Sequence, residues 1–270
     1  MPELPDVENF KDYFNKTSCN KKIKEVLCIS PELIKGVDVS DFKKNLIGKS
    51  FRKAERRGKC MIVLINKSDR KLVFHFGMTG NLSYTSSESP LSGRDKFARV
   101  IFKFENGYEL RWLNQRKLGK IWMVEDISEI ELLKKMGKEA LLLSKKEFFE
   151  ILSERGKIKS ILMDQSKIAG IGNIYSDEIL FQSRISPLRD ARTLTEKEKE
   201  ILYKNMKKVL NTAIKLVGKS YPYNGNVSFP KSWIIPHRHS DMICPNNKNH
   251  KLRKTSIGGR SSYYCPYCQK

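Results

Sequence analysis

The sequence predicts an α+β fold, with a β-sandwich in the first half, helices in the second and a small metal-binding tail. Three observations carry this reading. Short runs of β-branched and aromatic residues, divided by turn residues, fill the chain to about residue 125. After that point the pattern becomes that of capped amphipathic helices. Three of the six cysteines then gather at positions 244, 265 and 268. A chain of 270 residues can bury a sizeable core. With 39% hydrophobic residues it is not a disordered polymer.

The segment from Asp6 to Lys16 reads as a helix lying on the sandwich. Strands are expected at Cys60-Met-Ile-Val-Leu-Ile65, Lys71-Leu-Val-Phe-His-Phe76, Arg99-Val-Ile-Phe-Lys-Phe104 and Tyr108-Glu-Leu-Arg-Trp-Leu113. Asn106-Gly107, between the last two, is a hairpin signal, because such a turn needs residues that tolerate positive φ. Further on, Ser144 followed by Glu147 predicts a capping box, and Thr195 with Glu198 predicts another. The apolar positions Ile201, Met206, Val209 and Leu210 keep helical spacing behind the second box. The expected organisation is a sandwich domain over 1–125, a linker over 126–138, a helical domain over 139–233 and a tail over 234–270.

Charge narrows the choice of partner. Lys and Arg number 52 against 30 Asp and Glu, a formal net charge of +22. Such a surplus favours a polyanion, because neutralising phosphates releases condensed counterions. No apolar run reaches the length of a membrane span, and no lipidation motif or basic amphipathic helix is present. The start, MPELPDVENF, lacks the basic and apolar regions of a secretion signal, so a cytoplasmic, nucleoid-associated location without membrane attachment is expected.

In that setting clustered cysteines point to a metal rather than to disulfides. Cys244 and His250 form one ligand pair, and Cys265-Pro-Tyr-Cys268 supplies the other. One structural Zn²⁺ held by Cys₃His satisfies the tetrahedral preference. His237 and His239 are rival fourth ligands. The scattered Cys19, Cys28 and Cys60 read as ordinary buried thiols. Ile168-Ala-Gly-Ile-Gly-Asn-Ile-Tyr175 places two glycines before Asn173, read as the cap of a helix running through Gln182. Between helical segments this is no dinucleotide fingerprint, which needs a preceding strand. A turn that presents backbone amides to DNA phosphates is the economical alternative to a plain turn.

Four motifs in order now resemble one family. Met1-Pro-Glu-Leu-Pro-Asp-Val-Glu8, His75-Phe-Gly-Met-Thr-Gly80, Asp164-Gln through Ala169-Gly-Ile-Gly-Asn-Ile-Tyr175, and Gly259-Arg-Ser-Ser-Tyr-Tyr-Cys-Pro-Tyr-Cys-Gln269 are similar to signatures of bacterial formamidopyrimidine-DNA glycosylases. The resemblance implies an N-terminal β-sandwich, a helix–two-turns–helix domain and a zinc finger, acting as a monomer on damaged double-stranded DNA. It implies that Pro2, freed of Met1, is the amine nucleophile, Glu3 the acid, Lys59 a phosphate contact that assists elimination, and Arg260 the finger arginine beside the lesion. It further implies Met78 as the wedge filling the space of a flipped base, Arg116 facing the orphaned base, and His75, Lys159 and Asn173 at phosphates. Arg155 is a weaker candidate of the same kind.

The chain departs from the pattern in three places. Asn114-Gln-Arg-Lys-Leu-Gly119 puts Leu118 where the family has a phenylalanine wedge. The first ligand pair is Cys and His rather than Cys-x-x-Cys. Residues 218–230 are unlike the family loop that closes over an oxidised purine. The leading expectation is a bifunctional glycosylase and lyase for 8-oxoguanine and formamidopyrimidines that nicks by β,δ-elimination in base excision repair. The alternatives are an endonuclease VIII-like enzyme for oxidised pyrimidines and a non-catalytic DNA-binding protein of the same fold.

Overall fold

Alternation of buried and exposed residues along the first 124 positions builds two facing sheets. The computed structural model describes residues 1–220, 227–239 and 242–270. Within the departing segment 218–230, residues 221–226 therefore lie outside the described part. The described residues form two compact units, Met1–Lys134 with Ser220, and Lys135–Lys219 with the residues from 227 onward.

The first unit opens with α1 (Leu4–Thr17), β1 (Ile23–Cys28), β2 (Ile34–Lys35) and α2 (Val39–Lys44). Then come β3 (Phe51–Arg57), β4 (Cys60–Ile65), β5 (Lys71–His75), β6 (Gly80–Ser86), β7 (Ala98–Phe104), β8 (Tyr108–Asn114), β9 (Lys120–Val124) and α3 (Glu131–Lys134). One sheet runs β1-β7-β8-β6 and the other β2-β9-β5-β4-β3. Their inner faces share one aromatic core. Phe74 meets Phe102 at 6.4 Å and Trp112 at 6.3 Å, and Phe51 meets Phe102 edge-on at 5.4 Å. Helix α1 adds Val7, Phe10 and Phe14 to this core, with Phe10 at 4.5 Å from Phe76.

All four strands read from the sequence are present, and Asn106-Gly107 turns between β7 and β8. The interior strand β9 and the two-residue β2 were not anticipated, nor were β1, β3 and β6. The last three are edge strands. Their outer positions face solvent, so segments such as Phe51-Arg-Lys-Ala-Glu-Arg-Arg57 look too charged to be strands. The stretch expected as a bare linker carries a 3₁₀ turn at Ile127–Glu129 and α3, with Leu133 buried.

The second unit comprises β10 (Lys138–Glu139), α4 (Lys145–Leu152), α5 (Ile158–Met163), β11 (Ile168–Ala169), α6 (Asn173–Ser183) and α7 (Glu196–Lys219). The hairpins β12 (Ile243–Cys244) with β13 (Asn247–Lys251) and β14 (Arg253–Ile257) with β15 (Arg260–Tyr264) follow. Both capping boxes form: the Glu147 carboxylate accepts from the Ser144 amide at 2.9 Å, and Glu198 accepts from the Thr195 amide at 2.8 Å. The glycine loop differs in two details. The two-residue strand β11 pairs in parallel with β10 just before the loop. Asn173 is not the cap of α6; Gly172 occupies that position, with Asn173 as the first helical residue.

One buried carboxylate ties this unit together. Asp177 on α6 accepts from Lys159 on α5 at 2.6 Å, from Ser262 on β15 at 2.7 Å, from the Tyr263 amide at 3.2 Å and from Arg238 at 2.9 Å. Lys159 is 0% exposed and is committed to this interior pair. That corrects its expected place at a DNA phosphate: a lysine holding a buried carboxylate has no surface to offer. Removing one partner of a buried pair strands the other. Asp177→Ala should therefore cost about 3–5 kcal/mol of stability, read by urea denaturation; a loss below about 1 kcal/mol would show the cluster to be dispensable.

Candidate active site and nucleic-acid interface

The N-terminal residues are placed by α1. Pro2 precedes the helix and is half-buried, while Glu3, its N-cap, is 1% exposed. The Glu3 amide donates to Asp6 at 2.9 Å. Burial pushes the Asp6 carboxyl up to about 6, with the nearby Glu3 charge acting in the same direction.

Lys59 lies in the two-residue turn between β3 and β4, after Gly58 at φ +56°. It is half-buried. Arg56 braces this turn, since its Nε donates to Glu8 on α1 at 2.6 Å and its Nη1 to the Gly58 carbonyl at 3.0 Å. Burial alone would raise the Glu8 carboxyl. Hydrogen bonds from Lys11 and Arg56 outweigh it and hold Glu8 below the ordinary glutamate range. His75 ends β5, opposite Cys60 on one side and Lys120 on the other. Burial, then the charges of Lys59 and Lys120, lower its pKa, so it is a neutral imidazole near neutrality.

Both loops that cross from one sheet to the other on this side come together. Asn114 Nδ2 donates to the Phe76 carbonyl at 3.1 Å, and its Oδ1 accepts from the Leu118 amide at 3.2 Å. The backbones touch so closely that a Cβ on Gly77, at φ +61°, would stand 2.5 Å from the carbonyl carbon of Leu118. The outcome is a tip carrying Met78, 43% exposed, and Leu118, 49% exposed. Arg116 joins them, with Nη1 at 3.1 Å from Met78 Sδ. At that exposure Met78 is not a core residue.

In the second unit, Gln165 holds the turn between α5 and α6. Its Nε2 donates to the carbonyls of Met163 and Ile171, both at 2.8 Å, and its Oε1 accepts from the Gly170 amide at 3.0 Å. Asn173 Oδ1, buried at the head of α6, has no hydrogen-bond partner. Arg260 is exposed at the β14–β15 tip, where Gly258 and Gly259 have positive φ, and its Nη1 lies 3.8 Å from Met163 Sδ. Arg155 is exposed in the connection from α4 to α5.

The tail brings its metal-type donors to one point. The sulfurs of Cys244, Cys265 and Cys268 all lie within 4.8 Å of one another. His250 Nδ1 is 3.3 Å from Cys268 Sγ and 3.8 Å from Cys265 Sγ. Cys244 and Cys268 sulfurs are 3.9 Å apart, close to the roughly 3.8 Å edge of a tetrahedron with metal–sulfur bonds of about 2.3 Å. The three cysteine sulfurs are therefore compatible with one tetrahedral metal ion. Burial and the neighbouring thiols push Cys268 up to about 12, so a cation is what would favour thiolates here. His237 faces the Lys231 carbonyl at 3.0 Å instead.

Residues 1–121 match the family described as the formamidopyrimidine-DNA glycosylase N-terminal domain, and residues 137–223 its H2TH domain. The chain belongs to the formamidopyrimidine-DNA glycosylase family. These are DNA glycosylases of base excision repair. The chain is 34% identical over 279 residues to the formamidopyrimidine-DNA glycosylase of Pelotomaculum thermopropionicum, covering 100% of this chain and 99% of that one. It is 33% identical to that of Protochlamydia amoebophila, with both chains covered in full. Among solved structures, a complex of Lactococcus lactis Fpg with DNA containing an abasic site is similar at a TM-score of 0.87 and 27% identity, covering 99% of each chain. The same bacterium's complex with FAPY-dG containing DNA is similar at 0.86 and 27%, covering 99% of this chain and 100% of the other. Among the described residues no helix is long and apolar enough to cross a membrane.

Two pairings were not visible from the family motifs, although Glu8, Ser262 and Tyr263 lie within them. Arg56 with Glu8, and the Asp177 cluster, join residues 48 and 18 to 86 positions apart, and no local pattern announces such pairs.

The His75 arrangement has a measurable consequence. With its pKa lowered in the folded chain, the unfolded chain binds the proton first. The stability of the neutral form is thus present above pH 6.5 and is lost as pH falls below it. An NMR titration should place the His75 midpoint below 6.5, and Lys120→Gln should raise it; a midpoint at or above 6.5 would contradict the arrangement.

Proposed function

We propose that the chain is a bifunctional DNA glycosylase and abasic-site lyase for 8-oxoguanine and formamidopyrimidines in double-stranded DNA. The observation that carries this is the pairing of Pro2, ahead of α1, with the buried carboxyl of Glu3 in a chain matched along its whole length by formamidopyrimidine-DNA glycosylases. Once Met1 is removed, Pro2 is a secondary amine; α-amino groups titrate near about 7.7–8, leaving a reactive fraction at neutrality. Its lone pair attacks C1′, and the C1′–base bond breaks with its electrons leaving on the base, which takes a proton from Glu3. The sugar ring then opens: the C1′–O4′ bond breaks, O4′ takes a proton, and the Pro2 nitrogen is left joined to C1′ as an iminium, which acidifies C2′. Loss of a C2′ proton expels the 3′ phosphate by β-elimination, and a second elimination expels the 5′ phosphate.

In this reading Lys59 and Arg260 hold the phosphates that leave. Met78, Arg116 and Leu118 occupy the gap left by a flipped base, whose extrusion costs a few kcal/mol of stacking. Asn173 with its uncommitted Oδ1, His75 and Arg155 contact the backbone. Residues 1–125 serve as the catalytic domain, 126–138 as the linker, 139–233 as the helical DNA-binding domain and 234–270 as the finger. The finger holds one structural Zn²⁺ through Cys244, His250, Cys265 and Cys268; bound there, the ion cross-links two hairpins too small to hold a core themselves. The protein works as a cytoplasmic, nucleoid-associated monomer.

Borohydride reduction on duplexes carrying 8-oxoguanine, thymine glycol or an abasic site should trap a covalent adduct, most on the first and last. Pro2→Gly should weaken trapping, and Glu3→Gln should slow base excision by about a hundredfold while sparing cleavage of abasic DNA. Preference for thymine glycol would move the substrate to oxidised pyrimidines, and no adduct from protein lacking Met1 would end the catalytic reading. Metal analysis should find one zinc per chain, and His250→Ala should weaken its retention against a chelator about 10–100-fold or more; unchanged retention would point to His237 or His239.

A further inference from the structure

We propose that Arg56 and Glu8 are a positioning pair that sets the Gly58–Lys59 turn against the N-terminal helix. The inference rests on the reading of Pro2, Glu3 and Lys59 as reaction residues. Glu8 sits on α1, the helix that Pro2 and Glu3 lead into. Arg56 spans from that carboxylate at 2.6 Å to the Gly58 carbonyl at 3.0 Å, in the turn that carries Lys59. One planar guanidinium thereby fixes two segments with different donors, which a lysine cannot do because its ammonium is a single point. The Arg56 side chain is 9% exposed, so water competes little for either bond. Lys11 also binds Glu8, fixing the carboxylate from the helix side.

The helix has a second polar clamp, which gives the control. Asn15 donates to the Ala54 carbonyl at 3.0 Å and accepts from the Ala54 amide at 2.7 Å. That clamp also fastens α1 to β3, but it touches neither the turn nor the reaction residues. A purely structural role for Arg56 would make the two clamps equivalent. A positioning role separates them.

The test uses the full-length protein and a duplex carrying an abasic site, with strand cleavage measured in single turnover at saturating enzyme. Arg56→Met should slow cleavage about tenfold to a hundredfold, as expected for a group displaced by about an ångström. Asn15→Ala, matched for loss of thermal stability, should leave the rate unchanged. In a Lys59→Met background, Arg56→Met should have almost no further effect, because residues that act through one another are not additive. Arg56→Lys, which keeps the charge but not the fork, should fall between the unaltered and Met proteins, and it alone is read if Arg56→Met does not fold. Equal effects of Arg56→Met and Asn15→Ala, or full additivity with Lys59→Met, would overturn the proposal while leaving the reading of Pro2 intact. Failure of the unaltered protein to form a borohydride adduct would overturn both.

Discussion

The burial of Asp177 dictates most of what surrounds it. A carboxylate removed from water must be compensated, and here Lys159, Arg238, Ser262 and the Tyr263 amide all supply donors. Those groups come from α5, from the segment before the finger and from β15. Helices and finger are therefore tied together through this carboxylate. Apolar packing accompanies it: Phe181, Ile234, Leu252 and the cysteines form one cluster, and Leu162, Ile179, Leu202, Met206 and Leu210 are buried among the helices. In a chain with a net charge of +22, one acidic residue placed inside gathers cations that would otherwise repel one another.

The first unit solves the problem differently. Its interior is a stack of phenylalanines with Trp112, and polar clamps sit around it, among them those at the margin where α1 meets β3 and the one Asn114 makes between the crossover loops. The apparatus proposed for chemistry lies along that margin, at the ends of strands. The aromatic core supports the turn that carries Lys59, the end of β5 at His75 and the loop that carries Leu118.

The sequence made the interior strands β4, β5, β7 and β8 legible because their residues are largely apolar on both sides, as in Cys60–Ile65, while the short interior strand β9 was missed. Edge strands such as Phe51–Arg57 were hidden by the charges on their solvent face. Capping boxes at Ser144 and Thr195 were readable since they use residues three apart. Asn173 was misread as a cap because asparagine is a good capping residue, yet Gly172 takes that role and leaves the asparagine side chain uncommitted. Lys159 was misread for a deeper reason: a motif identifies a lysine, but only the packed chain reveals the carboxylate 18 residues away that claims it. The gathering of Cys244, Cys265 and Cys268 was legible through spacing, and His250 lies beside two of the three sulfurs.

The paired crossover loops divide their labour in a way that bears on how such an enzyme changes over generations. Gly77, Gly80 and Gly119 press backbone on backbone, and an added methyl at any of them would collide with main chain or buried side chain. Those positions are frozen. Leu118 and Met78, a residue or two away, project about half-exposed into solvent. Exchanging them perturbs little of the scaffold. The fold has thus separated what must stay constant from what can drift, and the tip can change by single substitutions without first acquiring compensating changes beneath it.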